Sequence, residues 1–346
     1  MIFFCGNFLI SDSFIFNIKR YLYICSIMWN INRTYLPEFE STFERLYDKQ
    51  AILIKNRPLS SSALSKIKEA LSVEWTYNSN SIEGNTLSLQ ETQMVLQDGI
   101  TIRGKSLREH FEAKNHEIAI NYLYSIVNEN YTIRSIDILS LHGCVLRTIE
   151  DDFAGRLRNG GVRISGANFV PPNANKVSDM LDELVDFVNT NPLGMNDIEL
   201  ATIFHHKFVW IHPFFDGNGR TVRLAMNLLL MRKGFPPAII LKNDRKKYYE
   251  ALNQANNGNY QKLILLMCQA QERTLNIYLN ALPNSDAEFD TISNIVSEPS
   301  FPYGQEYISL LARQGKIDAH KEGRNWLTTK KAINDYIENR QRKRLL

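Results

Sequence analysis

Residues 212–223 read HPFFDGNGRTVR, and residues 197–211 just ahead of them read DIELATIFHHKFVWI. The upstream run places Ile198, Ala201, Phe208 and Ile211 on one apolar helical face. Pro213 disfavours helical backbone at the residue before it, so this helix stops at His212. Arg220 to Lys233 reads as a second helix, closed at Gly234 with Pro236 beyond. Gly217 and Gly219 thus lie at a helix N-terminus, where unpaired N–H groups and the helix dipole favour an anion. Glycines also let a backbone come close to a phosphate. Working outward, the chain reads as mainly α: a helical core, one small β-hairpin and a small C-terminal module.

The same twelve positions carry a chemical set. Arg220 and Arg223 are three apart and share one face of the first helical turn. A guanidinium fork matches phosphate oxygens. Asp216 is a hard oxygen ligand suited to Mg²⁺, which binds through one or two carboxylates plus substrate phosphates. His212, where helix gives way to loop, is placed to take a proton from an attacking hydroxyl. Singly, each residue has an ordinary structural explanation, and His205 and His206 read as satisfied core histidines. Together they read as a site that holds a triphosphate and delivers part of it to a nucleophile.

HPFFDGNGRTVR resembles the motif of Fic-domain proteins, H-P-F-x-[DE]-G-N-G-R-x-x-R, at every defined position. Those proteins are largely helical, and most characterised members transfer AMP from ATP to a Ser, Thr or Tyr hydroxyl of a target protein. The resemblance implies that His212 deprotonates the target hydroxyl and that Asp216 holds Mg²⁺ across the α- and β-phosphates. It implies that Gly217, Asn218, Gly219 and Arg220 cradle the phosphates and that Arg223 reaches the γ-phosphate. Relatives with Lys where this chain has Gly219 act as kinases, so Gly219 points to nucleotidyl transfer.

Three further stretches are similar to parts of the same family. Ser79-x-x-x-Glu83-Gly84 resembles the inhibitory motif [ST]-x-x-x-E-[GN], placed N-terminally, and implies that Glu83 pairs with Arg223 and blocks γ-phosphate space. The same Glu sometimes supports removal of AMP. Val162-Arg163-Ile164 and Phe169-Val170 flank Ser165-Gly166-Ala167-Asn168, a pattern for a β-hairpin ended by Pro171-Pro172. The resemblance makes it a flap that docks the target, with Gly166, Ala167, Asn168 and Phe169 at its tip. Gly155-Arg156-Leu157-Arg158 is similar to the family's approach to that flap. Tyr248, Tyr249 and Asn256 match positions that hold adenosine in relatives, although tyrosines at helical spacing commonly serve packing alone.

Composition fits a soluble, cytoplasmic protein. At 346 residues about two domains are expected, with 44% apolar and 22% charged residues and a net charge of +3. Cysteines at 5, 25, 144 and 268 show neither metal spacing nor a disulfide framework. Residues 1–27 are aromatic and apolar, but Asp12, Lys19 and Arg20 interrupt them, so they are neither a spanning helix nor a secretory signal. We expect the functional chain to start at Met28. The expected order is a doubtful leader (1–27), an N-terminal helical region with the inhibitory motif (28–125), a catalytic core (126–282), a linker (283–299) and a terminal module (300–346).

That module resembles an excisionase-like winged helix-turn-helix. Helices read at Gly304 to Gln314 and Lys330 to Glu338, and two strands flank Lys321-Glu322-Gly323-Arg324. From 300 to 346 there are ten Lys/Arg and five Asp/Glu, so its net charge is +5 and the remainder carries −2. A basic wing and the tail Arg340-Gln341-Arg342-Lys343-Arg344 suit DNA phosphates, and they suit protein docking equally. Two functions therefore stand. One is an autoinhibited protein adenylyltransferase using ATP and Mg²⁺, with an unidentified target and, by family precedent, homodimerisation. The other is a non-catalytic nucleotide sensor that binds DNA. No membrane partner is expected.

Overall fold

The computed structural model describes residues 31–57, 61–128, 131–167, 169–282, 288–297 and 301–345. The expected leader at 1–27, Pro58, the flap residue Asn168, Pro283 to Asp286, Pro299 and the side chains of 340–344 lie outside them. The architecture is mainly helical, as expected, with one small antiparallel sheet near the C-terminus.

The centre is a pair of helices, α7 (Asp197–Ile211) and α8 (Asn218–Met231), joined by the motif loop. Every residue of α8 is buried except Gly219 and Met231, so this helix is the axis of the core. Asn227 fixes its far end by exchanging hydrogen bonds with both backbone groups of Ala238. The core around it holds Phe204, Phe208, Ile211, Phe214, Leu224 and Leu228 with no exposed surface. Each such side chain contributes about 1.5–3 kcal/mol by leaving water.

The remaining helices wrap this pair. Helix α1 (Leu36–Lys55) starts on Pro37, keeps Glu38 in its first turn and Lys55 in its last, and packs along α10 (Gln261–Asn280). Helix α2 (Ser61–Ile82) crosses α4 (Leu107–Ile126), with the short α3 (Leu89–Gln93) between them. A capping box at Ser106 and Glu109 opens α4, and a second box at Ser88 and Glu91 opens α3. Helix α5 (Ser135–Leu146) lies on α4 and α8, α6 (Val177–Thr190) on α7, and α9 (Arg245–Asn256) on α10.

Residues 288–345 form a second small core of Ile292, Ile295, Ile308, Leu311, Ile317 and Ile333. A strand at Asp290–Thr291 (β1) comes first, followed by α11 (Ile292–Val296), within the stretch expected to be a linker. Helix α12 (Gln305–Arg313), β2 (Ala319–Glu322), β3 (Asn325–Thr328) and α13 (Lys330–Leu345) complete it. The sheet order is β1-β3-β2, with Glu322 paired to Asn325 across a tight turn in which Gly323 has φ +58°. Strand β2 packs on α10, and Lys49 of α1 bridges Glu272 of α10 and Asp318 beside the strand. Among the described residues no helix is long and apolar enough to cross a membrane.

Candidate active site

The turn from α7 to α8 explains itself residue by residue. His212 caps α7 in the left-handed region, with φ 51° and ψ 62°, and its N–H donates to Phe208 O at 2.9 Å. That backbone costs about 1–2 kcal/mol for a residue with a Cβ. Arg158 offsets the cost by donating to the carbonyls of His212 (2.7 Å) and Ile211 (3.3 Å). Asn218 then locks the loop: its side chain accepts from Phe214 N–H at 2.9 Å and donates to Phe214 O at 2.8 Å. Gly217, with φ +74°, begins α8 where a Cβ would press on His142 at 3.3 Å.

His142 of α5 is a residue the sequence reading missed. Its ring stacks on Phe214 at 3.6 Å, nearly parallel. Gly155 N–H donates to its Nδ1 at 3.0 Å, so the ring proton sits on Nε2 and donates to Asp216 O at 3.0 Å. Burial pulls this imidazole down to about 4, which keeps it neutral. A lone His inside an apolar helical stretch is the only signal the sequence carries for it.

His212 itself is mostly shielded from water. Burial, helped by Arg158, pulls its imidazole down to about 4 against the opposing pull of the Val209 carbonyl, Glu83 and Asp216. Its Nδ1 lies 3.4 Å from Val209 O, which assigns the proton to Nδ1 and leaves the Nε2 lone pair free near neutral pH.

Both arginines are buried, and they differ in partners. Arg223 is saturated by α2: Nη1 lies 2.8 Å from Glu83 Oε1, Nε donates to Ser79 Oγ at 3.1 Å, and Nη2 donates to Ser79 O at 2.7 Å. Arg220 Nη1 lies 3.3 Å from Glu112 and Nη2 3.6 Å from Asp216 as ion pairs without hydrogen-bond alignment, and its Nε has no partner among the described residues. Donors left unpaired in a buried setting suit a phosphate oxygen. Glu83 reaches further than its ion pair. A Cβ on Gly219 would stand 2.1 Å from Glu83 Oε1, so this carboxylate rests over the glycine nest itself.

Asp216 accepts from Arg108 Nη2 of α4 at 2.6 Å and from Gly217 N–H at 2.6 Å. Arg108, also missed in the sequence, fans out to Glu150 and Glu112. Among the described residues no three His, Cys, Asp or Glu side chains gather as a metal cage. One accessible carboxylate beside an anion nest fits a cation such as Mg²⁺, whose other ligands are phosphate oxygens and water.

Tyr248 and Tyr249 join the cluster, with rings 5.3 Å apart. Tyr248 is fully buried, its hydroxyl 3.0 Å from His205 Nε2, whereas Tyr249 is partly exposed under Arg245, whose guanidinium lies 4.9 Å from its ring. Asn256 is turned inward, its Oδ1 2.9 Å from His206 Nε2. His205 and His206 are core residues.

The flap segment corrects one expectation. Its described residues form no paired strands: where a hairpin was expected around Gly166, Ala167, Asn168 and Phe169, they show a turn at Ser165–Gly166, and Asn168 lies outside them. The chain reverses at Ser165–Gly166, where Ala167 N–H donates to Ile164 O at 3.2 Å. Two short arms with no third strand make a marginal ribbon, Val170 is 82% exposed, and Pro171 and Pro172 bring no N–H. The turn still lies over the site's helices: Phe169 stacks on Trp210 of α7 at 6.0 Å, and Asn253 of α9 donates to Gly166 O at 3.4 Å.

Fold and site together define a class of helical protein in which the N-terminus of a buried central helix meets an anion beside a neutral imidazole. Residues 132–230 match the Fic/DOC family model. The chain is 33% identical over 286 residues to the protein adenylyltransferase Fic of Aedes aegypti, covering 82% of this chain and 56% of that protein. It is 40% identical over 215 residues to the protein adenylyltransferase Fic of Nematostella vectensis, covering 62% and 50%. A solved structure of a Fic-1 fragment from C. elegans superposes with a TM-score of 0.63 at 31% identity, covering 79% of this chain and 77% of that one. The chain belongs to the Fic/DOC family. It spans about half the length of the curated relatives it matches.

Proposed function

We propose that this protein is an autoinhibited protein adenylyltransferase, moving AMP from ATP to a Ser, Thr or Tyr hydroxyl of a target protein. The observation that carries the reading is the carboxylate of Glu83 lying against Gly219 and Arg223, an anion seated where the nest is built to take one. In the active arrangement the backbone of Gly217, Asn218 and Gly219, with Arg220, holds the phosphates, and Arg223 meets the γ-phosphate once Glu83 leaves. Tyr248, Tyr249 and Asn256 form the adenosine side, and Asn256 reaches it by giving up His206. Gly166 to Phe169 dock the target beside His212.

His212 Nε2 takes the proton of the acceptor hydroxyl as its oxygen attacks the α-phosphorus. The α–β phosphoanhydride bond breaks and pyrophosphate leaves. Asp216 would hold Mg²⁺, which supplies charge neutralisation on the phosphates when bound. Buried donors aimed at that charge give most of the rate, since phosphoryl-type transfer is chiefly positioning and electrostatics. Glu83 blocks the reaction by charge and by space, because a second anion cannot share Arg223 cheaply. We further infer that α2 is the inhibitory helix and that residues 288–345 are a winged helix-turn-helix, from the order α11, α12, β2, β3 and the third strand β1.

The test is AMP incorporation read by intact mass, in a cell extract, for wild type, Glu83→Gly and the pair Glu83→Gly with His212→Ala. Glu83→Gly is expected to raise incorporation tenfold or more, and His212→Ala to abolish it. Equal incorporation by wild type and Glu83→Gly would remove the switch. Incorporation that survives His212→Ala would remove the base.

A further inference from the structure

We propose that Arg158 is a positioning residue that ties the base-bearing end of α7 to both feet of the flap, so that one guanidinium sets the orientation of His212 and the seat of the target together. The inference rests on the reading of His212 as the base and of Gly166 to Phe169 as the docking tip of the flap.

The geometry is a four-way anchor on carbonyls. Arg158 Nε donates to His212 O at 2.7 Å, and Nη2 donates to Ile211 O at 3.3 Å, which holds the last turn of α7. Nη1 donates to Gly160 O at 2.8 Å, where the flap leaves the core, and Nη2 donates to Pro172 O at 2.6 Å, where it returns. The backbone N–H of Arg158 adds a bond to Pro213 O at 2.9 Å, on the other side of the base. Arg158 is 2% exposed, and among the described residues its side chain meets backbone carbonyls and no carboxylate. Burying a cation without a counterion is costly, and here four carbonyl dipoles supply the compensation. A guanidinium is the side chain whose fork of five donors reaches three backbone segments at once. Lys cannot do this from a single nitrogen.

Arg158 also brings its charge to the imidazole. The groups that face His212 are Arg158, which opposes protonation, and Glu83 and Asp216, which favour it. Removing the cation should therefore move protonation of His212 to higher pH.

The experiment uses the ligand-free full chain and needs neither target nor turnover. Hydrogen exchange by mass spectrometry compares wild type, Arg158→Lys and Arg158→Gln. In wild type, peptides covering 159–173 and 209–213 should open as one unit, and independent opening would overturn the proposal without any variant. In both variants these two regions should exchange at least tenfold faster while α10 is unchanged. An even rise across the chain would indicate a merely structural role and would also overturn it. NMR of the His212 imidazole supplies the second readout: its titration should move to higher pH in Arg158→Gln and stay near wild type in Arg158→Lys. No movement in Arg158→Gln would refute the electrostatic half. Loss of AMP transfer in Glu83→Gly with Arg158 intact would refute the enzymatic reading instead, leaving these results to judge the anchor alone.

Discussion

Gly219 and Glu83 constrain one another. Gly219 lies in the first turn of α8 with ordinary helical backbone, where Ala is normally preferred by about 1 kcal/mol. Ala there would put its Cβ 2.1 Å from Glu83 Oε1 and 3.0 Å from Arg223 Nη1. We expect Gly219→Ala to cost about 1–3 kcal/mol in the wild-type background, as overpacking does. In the Glu83→Gly background it should be neutral or stabilising by up to about 1 kcal/mol. Urea midpoints for the four members of this double-mutant cycle check it, and equal shifts in both backgrounds would show that the two residues do not touch. The motif was legible because one stretch of twelve residues carries the imidazole, the carboxylate, the nest and both guanidinium groups. His142, Arg108 and the full role of Arg158 were not, because each acts on the backbone or charge of a residue far along the chain. His142 contacts Asp216 across 74 positions, and Arg108 reaches it across 108.

Two helices that precede the motif each bring a charge of the opposite sign into it. Helix α2 delivers Glu83 to a cation, and α4 delivers Arg108 to the anion Asp216. The end of α2 is held apart from the glutamate as well: Lys242 N–H donates to Asn78 Oδ1, and Arg245 donates to Ile82 O at 2.7 Å. Arg108 is about half exposed, so its pairing with Asp216 is screened and worth roughly 0.5–1 kcal/mol. A cation seated on Asp216 with nucleotide phosphates must displace it. Arg108→Ala should therefore tighten Mn²⁺ binding about two- to fivefold in the presence of a non-hydrolysable ATP analogue, measured by electron paramagnetic resonance. Unchanged or weaker binding would mean that Arg108 moves aside freely or assists the metal. Helix ends were readable from Pro and Gly signals, as at Pro213, Gly234 and Pro236. The flap was misread as a hairpin because alternating apolar residues around a Gly/Asn turn indicate a ribbon only when something covers one face, and that covering is a property of the packed molecule.

Across the molecule, polar groups are buried in pairs that join distant segments. Lys49, Glu272, Asn276 and Asp318 lock the C-terminal unit onto α1 and α10, and the buried His320 accepts from Asn276 at 3.0 Å in the same network. None of this could be read from sequence, because the partners lie more than forty positions apart and each looks like an ordinary surface polar residue. The histidines give the arrangement a testable signature. Burial holds His116, His142, His205, His206, His212 and His320 below the usual imidazole value, with His142, His212 and His320 drawn down to about 4 and His206 to about 3. An unfolded histidine titrates near 6.5. Between about pH 6.5 and 4 the unfolded chain therefore binds more protons than the native one, and stability must fall as pH drops through that window. Asp318 does not compensate there. Burial raises its carboxyl, but Lys49 overrides this and leaves it below the usual value, so its contribution is intact until the pH falls below about 4. At about 1–2 kcal/mol per histidine, six of them rival the roughly 5–15 kcal/mol that holds a domain together. The urea midpoint should be flat above about pH 7.5 and fall by about half by pH 5, with the C-terminal unit and the core around α7 and α8 losing protection in the same range. A midpoint that stays level down to pH 5 would mean that these imidazoles are protonated in the native protein, and the neutral His212 that the proposed transfer requires would go with them.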